Sequence, residues 1–199
     1  NKMKYNPIII ISVFRSGANL IKDILCQLPG FGTWPAENIN FIWRHGNSLR
    51  NDDEFSVNEA NDSVINYIRG AFSNLSIRYG YKYVVEKTEN NTLRINFVNK
   101  IFPEAKFIFV VRDGRDAIAS MLNRRSQPID PVFLLKKARY LPLSDIPIVT
   151  IRYIKNTFRR YFFKKRVVYQ LGPVFRGMEK MLINHTEAEI VAIQWAKCI

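Results

Sequence analysis

The chain has few of the residues on which metal and disulfide sites are built: two cysteines and two histidines among 199 residues. Cys26 and Cys198 cannot make a disulfide framework, and no CxxC pattern is present. His45 and His185 lie far apart with no further ligands beside them, so no metal is expected. Cys26, set among Ile24, Leu25 and Leu28, reads as a buried free thiol. Acidic residues are also scarce, 17 Asp and Glu against 30 Lys and Arg, for a net charge of +13. That surplus favours anionic partners such as nucleotides, nucleic acid, sulfated or uronic polysaccharides or anionic lipid, without choosing among them. No apolar run reaches the ~18 residues that a membrane span needs, and no signal peptide is visible. Two nucleotide-binding signatures are missing. GxxxxGK[ST] does not occur. Gly30-Phe31-Gly32 follows no expected strand, and Pro35 stands where the third glycine of a dinucleotide fingerprint belongs.

What is present is enough for one sizeable core, since 47% of the residues are hydrophobic and 13% aromatic. Ile8-Ile9-Ile10-Ile11-Ser12-Val13 shows little alternation and predicts a strand buried on both faces. A tight turn at Arg15-Ser16-Gly17 follows. Leu20, Ile21, Ile24, Leu25 and Leu28 then recur at helical spacing up to Pro29-Gly30. Ser56 to Glu59 has the form of a capping box and predicts a helix from there to about Tyr79, closed by Gly80. Tyr83-Val84-Val85 predicts a second strand and Leu93 to Ile101 a helix ended by Pro103. Lys106 to Val111 predicts a third buried strand, and Asp113 caps a helix to about Arg124. Strands alternating with helices imply a parallel sheet. Gln127 to Pro147 reads as irregular or short-helical, and a last helix starts near Thr186.

Three segments leave the carboxyl ends of the expected strands, where ligands sit in such sheets. The first is Phe14-Arg15-Ser16-Gly17-Ala18-Asn19-Leu20. It opens a helix, so free N–H groups and the helix dipole converge there. Gly17 permits close backbone approach, and Arg15 adds a planar cation. Alone, this reads equally as an ordinary strand-to-helix turn. The second is Arg112-Asp113-Gly114-Arg115-Asp116, with Ser120 pointing away from the apolar face made by Ala117, Ile118, Met121 and Leu122. It reads either as an anion contact or as surface ion pairs. The third is Glu86-Lys87-Thr88, whose lysine faces the same crevice or solvent.

Together the three resemble the sulfotransferase family that uses 3′-phosphoadenosine 5′-phosphosulfate (PAPS). The family has a [KR]-S-G-T-[TS] loop after its first strand, a lysine turn after the next, and a segment like FPxAKFIxxxRDxRDxxxS. The last is matched here by Phe102-Pro103-Glu104-Ala105-Lys106-Phe107-Ile108 through Arg112-Asp113-Gly114-Arg115-Asp116 to Ser120. The resemblance covers Pro7 to about Arg125. It implies a P-loop-like three-layer α/β/α sandwich with a central parallel sheet and helices on both faces. It implies one sulfotransferase domain over 1–199, incomplete at its C-terminus, with a donor-binding core (1–125) and a helical acceptor or lid region (126–199).

By the same resemblance, Arg15, Ser16, Gly17, Ala18, Asn19 and Leu20 hold the 5′-phosphosulfate, and Arg112 and Ser120 hold the 3′-phosphate. Lys87 lies beside the transferring group. Glu37, in Trp34-Pro35-Ala36-Glu37, looks like the glutamate that acts as base in the glycan and tyrosylprotein branches. Arg15 and Lys87 neutralise charge as 3′,5′-ADP departs, and no metal is needed. The implied acceptor is a hydroxyl, first of all on a carbohydrate, with an anionic glycan among the partners and no nucleic acid. Ala18-Asn19 departs from the usual Thr-Thr or Thr-Ser pair, and the family's late RxxGxxG segment is not found. The basic stretch Arg152 to Arg166 reads either as a dock for an anionic polysaccharide or as a solvated helix face. His45 reads as an acceptor contact or as structural. Two other classes remain: a P-loop-type phosphotransferase such as a small-molecule kinase, and a non-catalytic binder of anionic ligands.

Overall fold

The computed structural model describes residues 5–36, 38–126, 145–147, 150–151 and 172–199. Four strands, β1 (Asn6–Ser12), β2 (Phe31–Gly32), β3 (Tyr83–Glu86) and β4 (Lys106–Val110), form one sheet in the order β2-β3-β1-β4. Every pairing is parallel, with Ile8 opposite Val85 on one side and Lys106 on the other. The crossovers carry α1 (Ala18–Leu25), the four-residue α2 (Asn40–Trp43), α3 (Asp62–Tyr79) and α4 (Ile95–Ile101). After β4 come α5 (Gly114–Ser126), the short α6 (Met178–Met181) and α7 (Glu187–Lys197).

Successive side chains of β1 point to opposite faces, so the isoleucine run feeds two layers at once. Ile9 and Ile11, with Val84, pack against Val64, Ile68 and Phe72 of α3 and Phe97, Val98 and Ile101 of α4. Ile8 and Ile10, with Val85, pack against Ala18, Ile21 and Leu25 of α1. Helices thus cover both faces, and the α/β/α sandwich expected from sequence is the observed architecture. Beyond the end of β1, Val13 and Phe14 meet Met121 of α5 and Val191 of α7. Trp195 lies so close to Gly114 that a Cβ there would fall within 2.9 Å of the indole ring.

Several boundaries differ from the sequence expectation. The helix α1 stops at Leu25 rather than at Pro29, because the amides of Gln27 and Leu28 turn to three-residue bonds with Ile24 and Leu25. Of the expected apolar stripe, Leu20, Ile24 and Leu28 are exposed, and only Ile21 and Leu25 pack inward with Cys26. Cys26 is therefore half-buried rather than buried. The capping box at Ser56 is real, but it caps a three-residue 3-10 turn (Val57–Glu59). Asn61 caps α3 instead, its Oδ1 accepting from Val64 N at 3.0 Å. A 3-10 helix (Glu89–Arg94) precedes α4. Strand β4 is not a buried strand: it pairs with β1 alone among the described residues, and Phe109 is 61% exposed. Most of 127–147 and the basic stretch 152–166 lie outside the described residues.

Candidate active site

The loop after β1 has the geometry of an anion cradle. Arg15 and Gly17 both take left-handed backbone conformations (φ 60° and 89°), which turn the chain sharply into α1. Ser16 is fixed within the loop, its hydroxyl donating to Val13 O at 2.6 Å. Among the described residues no side chain caps α1, so the first-turn amides of Ala18, Asn19 and Leu20 have no capping partner there. Among the described residues nothing lies within 4 Å of the place a Cβ on Gly17 would occupy. The side chains of the loop divide in role. Ala18 is buried in the core, Leu20 is exposed, and Asn19 turns into a cleft. A hydroxyl missing at position 18 is therefore missing from a side chain that packs against Ile8, Ile10 and Val85.

The segment after β4 meets this loop. Arg15 Nε donates to Ser120 Oγ at 2.9 Å, and Arg112 Nη1 lies 3.4 Å from Arg15 O. Ser120 stands off the apolar face of α5, as its spacing predicts. Arg112 also pairs with Asp116 at 3.3 Å, and Arg115 with Asp113 at 3.1 Å. The surface-pair reading therefore holds for Arg115, while Arg112 serves both the pair and the loop.

Lys87 approaches from the end of β3. It lines the cleft together with Asn19, Lys22, Thr33, Trp34, Ala36, Asn38, Ile39 and Glu86, and its Nζ pairs with Glu89 Oε1 at 2.8 Å. Glu37 lies outside the described residues, whereas its chain neighbours Ala36 and Asn38 line this cleft. Lys22, Thr33, Asn38 and Glu86 were not singled out from sequence. Lys22 could have been, since it follows Asn19 by three residues and so shares its face of α1.

A buried polar network supports the floor behind the cleft. Asp53 accepts from Arg44 Nη1 at 2.7 Å, Asn90 Nδ2 at 2.7 Å and Val174 N at 2.9 Å. Arg94, fully buried, donates to Asn91 Oδ1 at 2.8 Å and Asn40 Oδ1 at 2.5 Å. Burial pulls the Arg94 guanidinium down to about 10, and Asp53 and Glu86 work to hold it charged. His45 belongs to another part of the surface, stacked on Tyr67 at 3.7 Å with Nδ1 3.4 Å from Asp145 Oδ2. Among the described residues no group of three His, Cys, Asp or Glu could hold a metal ion, and no helix is long and apolar enough to cross a membrane.

The family model described as "Sulfotransferase family" matches residues 7–134, which takes in all three strand-end segments. The chain belongs to the sulfotransferase family. A stretch of 131 residues is 30% identical to protein-tyrosine sulfotransferase 1 of Danio rerio, covering 60% of this chain and 36% of that protein. The match thus spans little more than a third of the relative's length.

Proposed function

We propose that the protein transfers a sulfuryl group from PAPS to an acceptor hydroxyl, with release of 3′,5′-ADP. The observation that carries this reading is the meeting of Arg15, Ser120 and Arg112 beside the free amides of α1. Two adjoining anion contacts, the helix N-terminus with Arg15 and the pair Arg112 and Ser120, suit a nucleotide that carries both a 5′-phosphosulfate and a 3′-phosphate.

The donor fits the residues present, because Gly17 leaves its backbone open and the loop spends no side chain on capping. It supplies an activated sulfuryl group on a phosphate leaving group. The amides of Ala18, Asn19 and Leu20 and the guanidinium of Arg15 hold the 5′ side. Arg112 and Ser120 hold the 3′-phosphate. Lys87, in the cleft beyond Asn19, places positive charge where negative charge grows during an in-line displacement. Glu37 takes the proton of the attacking hydroxyl, a role worth about 10²–10⁴-fold in rate; its neighbours Ala36 and Asn38 at the cleft support this assignment.

The acceptor is a hydroxyl. A carbohydrate is the acceptor expected from the sequence, and the name of the zebrafish relative favours a tyrosyl hydroxyl. The test begins with calorimetric titration of 3′,5′-ADP against ATP and 5′-AMP, on wild type and Arg112→Ala. Selective binding of 3′,5′-ADP that weakens in Arg112→Ala supports the donor site. Equal affinity for all three nucleotides sinks it. Transfer from PAPS to a tyrosine peptide or to a glycan then identifies the acceptor.

A further inference from the structure

The cleft beside the donor loop has a mixed lining. Asn19, Lys22 and Lys87 suit an anion, whereas Glu86 does not. Glu86 is the last residue of β3 and is 1% exposed. Its Oε2 accepts from Asn91 Nδ2 at 3.0 Å, and its Oε1 has no hydrogen-bond partner among the described residues.

The groups that face it come from every side. Trp43 of α2 and Thr88, just past the strand, turn polar ends toward the carboxyl, yet Trp43 Nε1 and Thr88 Oγ1 form no hydrogen bond of standard geometry. Arg94, from the 3-10 helix, is shared with Asn40, Asn91 and Asp53. Lys87, the next residue, is paired with Glu89, and Lys22 with Asp23 at 2.9 Å. Glu86 has no cation of its own among the described residues. Burial pushes its carboxyl above the ordinary carboxylate range, against the opposing pull of Thr88, Trp43, Arg94 and Lys87.

We propose that Glu86 is a proton-linked positioning residue of the donor site, taking up one proton from solvent when a sulfuryl-bearing anion enters the cleft. This rests on the donor-site reading above. An anion beside an ionised carboxylate in a dry site is repelled, and protonation of Oε1 removes the repulsion without displacing a ligand contact. Lys22 and Lys87 then face the sulfuryl group without an ionised Glu86 competing for their charge. The sign follows from linkage. Binding favours the protonated carboxyl, so donor affinity is highest at low pH. It falls as pH rises through the titration of Glu86 in the free protein, by up to about tenfold per pH unit.

The test is calorimetric titration with PAPS, without acceptor, between pH 7.5 and 9 in buffers of different ionisation enthalpy. The ligand's phosphates, with second ionisations near ~6, no longer titrate there. The wild type is expected to take up protons with PAPS, and fewer with 3′,5′-ADP, which lacks the sulfuryl group. Glu86→Gln is expected to bind PAPS with no such uptake and with an affinity flat in pH. PAPS binding accompanied by equal uptake in wild type and Glu86→Gln overturns the role of Glu86 and leaves the donor site standing. If Glu86→Gln does not fold, the wild type decides alone: equal uptake with PAPS and 3′,5′-ADP overturns the proposal. No PAPS binding by the wild type overturns both readings.

Discussion

Arg15 Nε donates to Ser120 Oγ at 2.9 Å, joining two residues 105 positions apart in the chain. The bond fixes the guanidinium at the mouth of α1 and the serine beside Arg112. The two side chains are therefore expected to act as a unit. Arg15→Ala removes a charge-assisted contact worth about 1.5–3 kcal/mol, or roughly ten- to a hundredfold in 3′,5′-ADP affinity. Ser120→Ala is expected to cost less alone, and the double variant less than the sum. Strict additivity in a double-mutant cycle would show that the pair is incidental. Arg15→Lys keeps the charge but not the planar fork, and is expected to recover only part of the affinity.

Gly17 holds φ at 89° with open space where a Cβ would go. Gly17→Ala therefore meets no clash with the described residues, only the left-handed backbone penalty of about 1–2 kcal/mol. That corresponds to a drop in Tm of roughly 2–8 °C for a chain of this size. Gly80 shares the conformation, with φ 70° and open space, at the end of α3. Gly80→Ala is the matched control. Both variants are expected to lose similar stability, and only Gly17→Ala to lose 3′,5′-ADP affinity as well. Equal affinities in the two would mean that no ligand approaches the Gly17 backbone.

Asn19 distinguishes helix stability from anion binding. It stands in the first turn of α1 and lines the cleft with Lys22 and Lys87, its Oδ1 buried without a partner among the described residues. An amide flip would present Nδ2 to a ligand instead. Asn19→Asp adds a carboxylate to a helix N-terminus, a change worth about 0.3–1 kcal/mol in favour of the fold. The same charge repels an anionic ligand. Melting temperature is expected to hold or rise while 3′,5′-ADP affinity falls by about tenfold or more, the direction expected for like charges in a partly dry site. Asn19→Ala keeps the backbone donor and is expected to stay within a few-fold of wild type. A gain in 3′,5′-ADP affinity in Asn19→Asp would place the anion elsewhere.

The parts of the site that sequence made legible are those tied to strand ends. Arg15, Lys87 and Arg112 each follow an apolar run, and a parallel sheet brings such positions to one edge whatever lies between them. The apolar stripe of α1 misled because spacing reveals a face but not what covers it: Leu20, Ile24 and Leu28 repeat correctly and look outward. The two residues of β2 are too few to show a period. The Ser56 capping box has the sequence form of a helix start but closes only a 3-10 turn, and Asn61 caps α3 five residues later. Glu86 has no assigned role in the sequence, because a glutamate ending a strand looks solvated until the residues over it are known. The network of Asn40, Arg44, Asp53, Asn90 and Arg94 has no period at all, being assembled from three separate loops and helices.

That network makes the final prediction. Burial pushes the Asp53 carboxyl up, but Arg94 and Arg44, together with bonds from Val174 and Asn90, outweigh it and hold the group below the ordinary carboxylate range. A depressed folded value means that this stabilisation is present above about pH 4, the usual value for aspartate, and is lost as pH falls through the folded value. Asp53→Asn keeps the shape and removes the charge, leaving Arg44 and Arg94 buried with no anion between them. The expected cost is about 3–5 kcal/mol at pH 7, read from urea unfolding. The difference from wild type is expected to shrink as both are taken toward pH 3. Asp53 also binds Val174 through backbone N–H and carboxylate alike, at 2.7 and 2.9 Å, and holds Asn90 three residues beyond Lys87. Loss of its charge should therefore loosen the 172–178 segment and the Lys87 turn together, and weaken donor binding even in the folded fraction. A loss below about 1 kcal/mol at pH 7, within the range of an exposed pair, would mean that the two arginines are neutralised by another group.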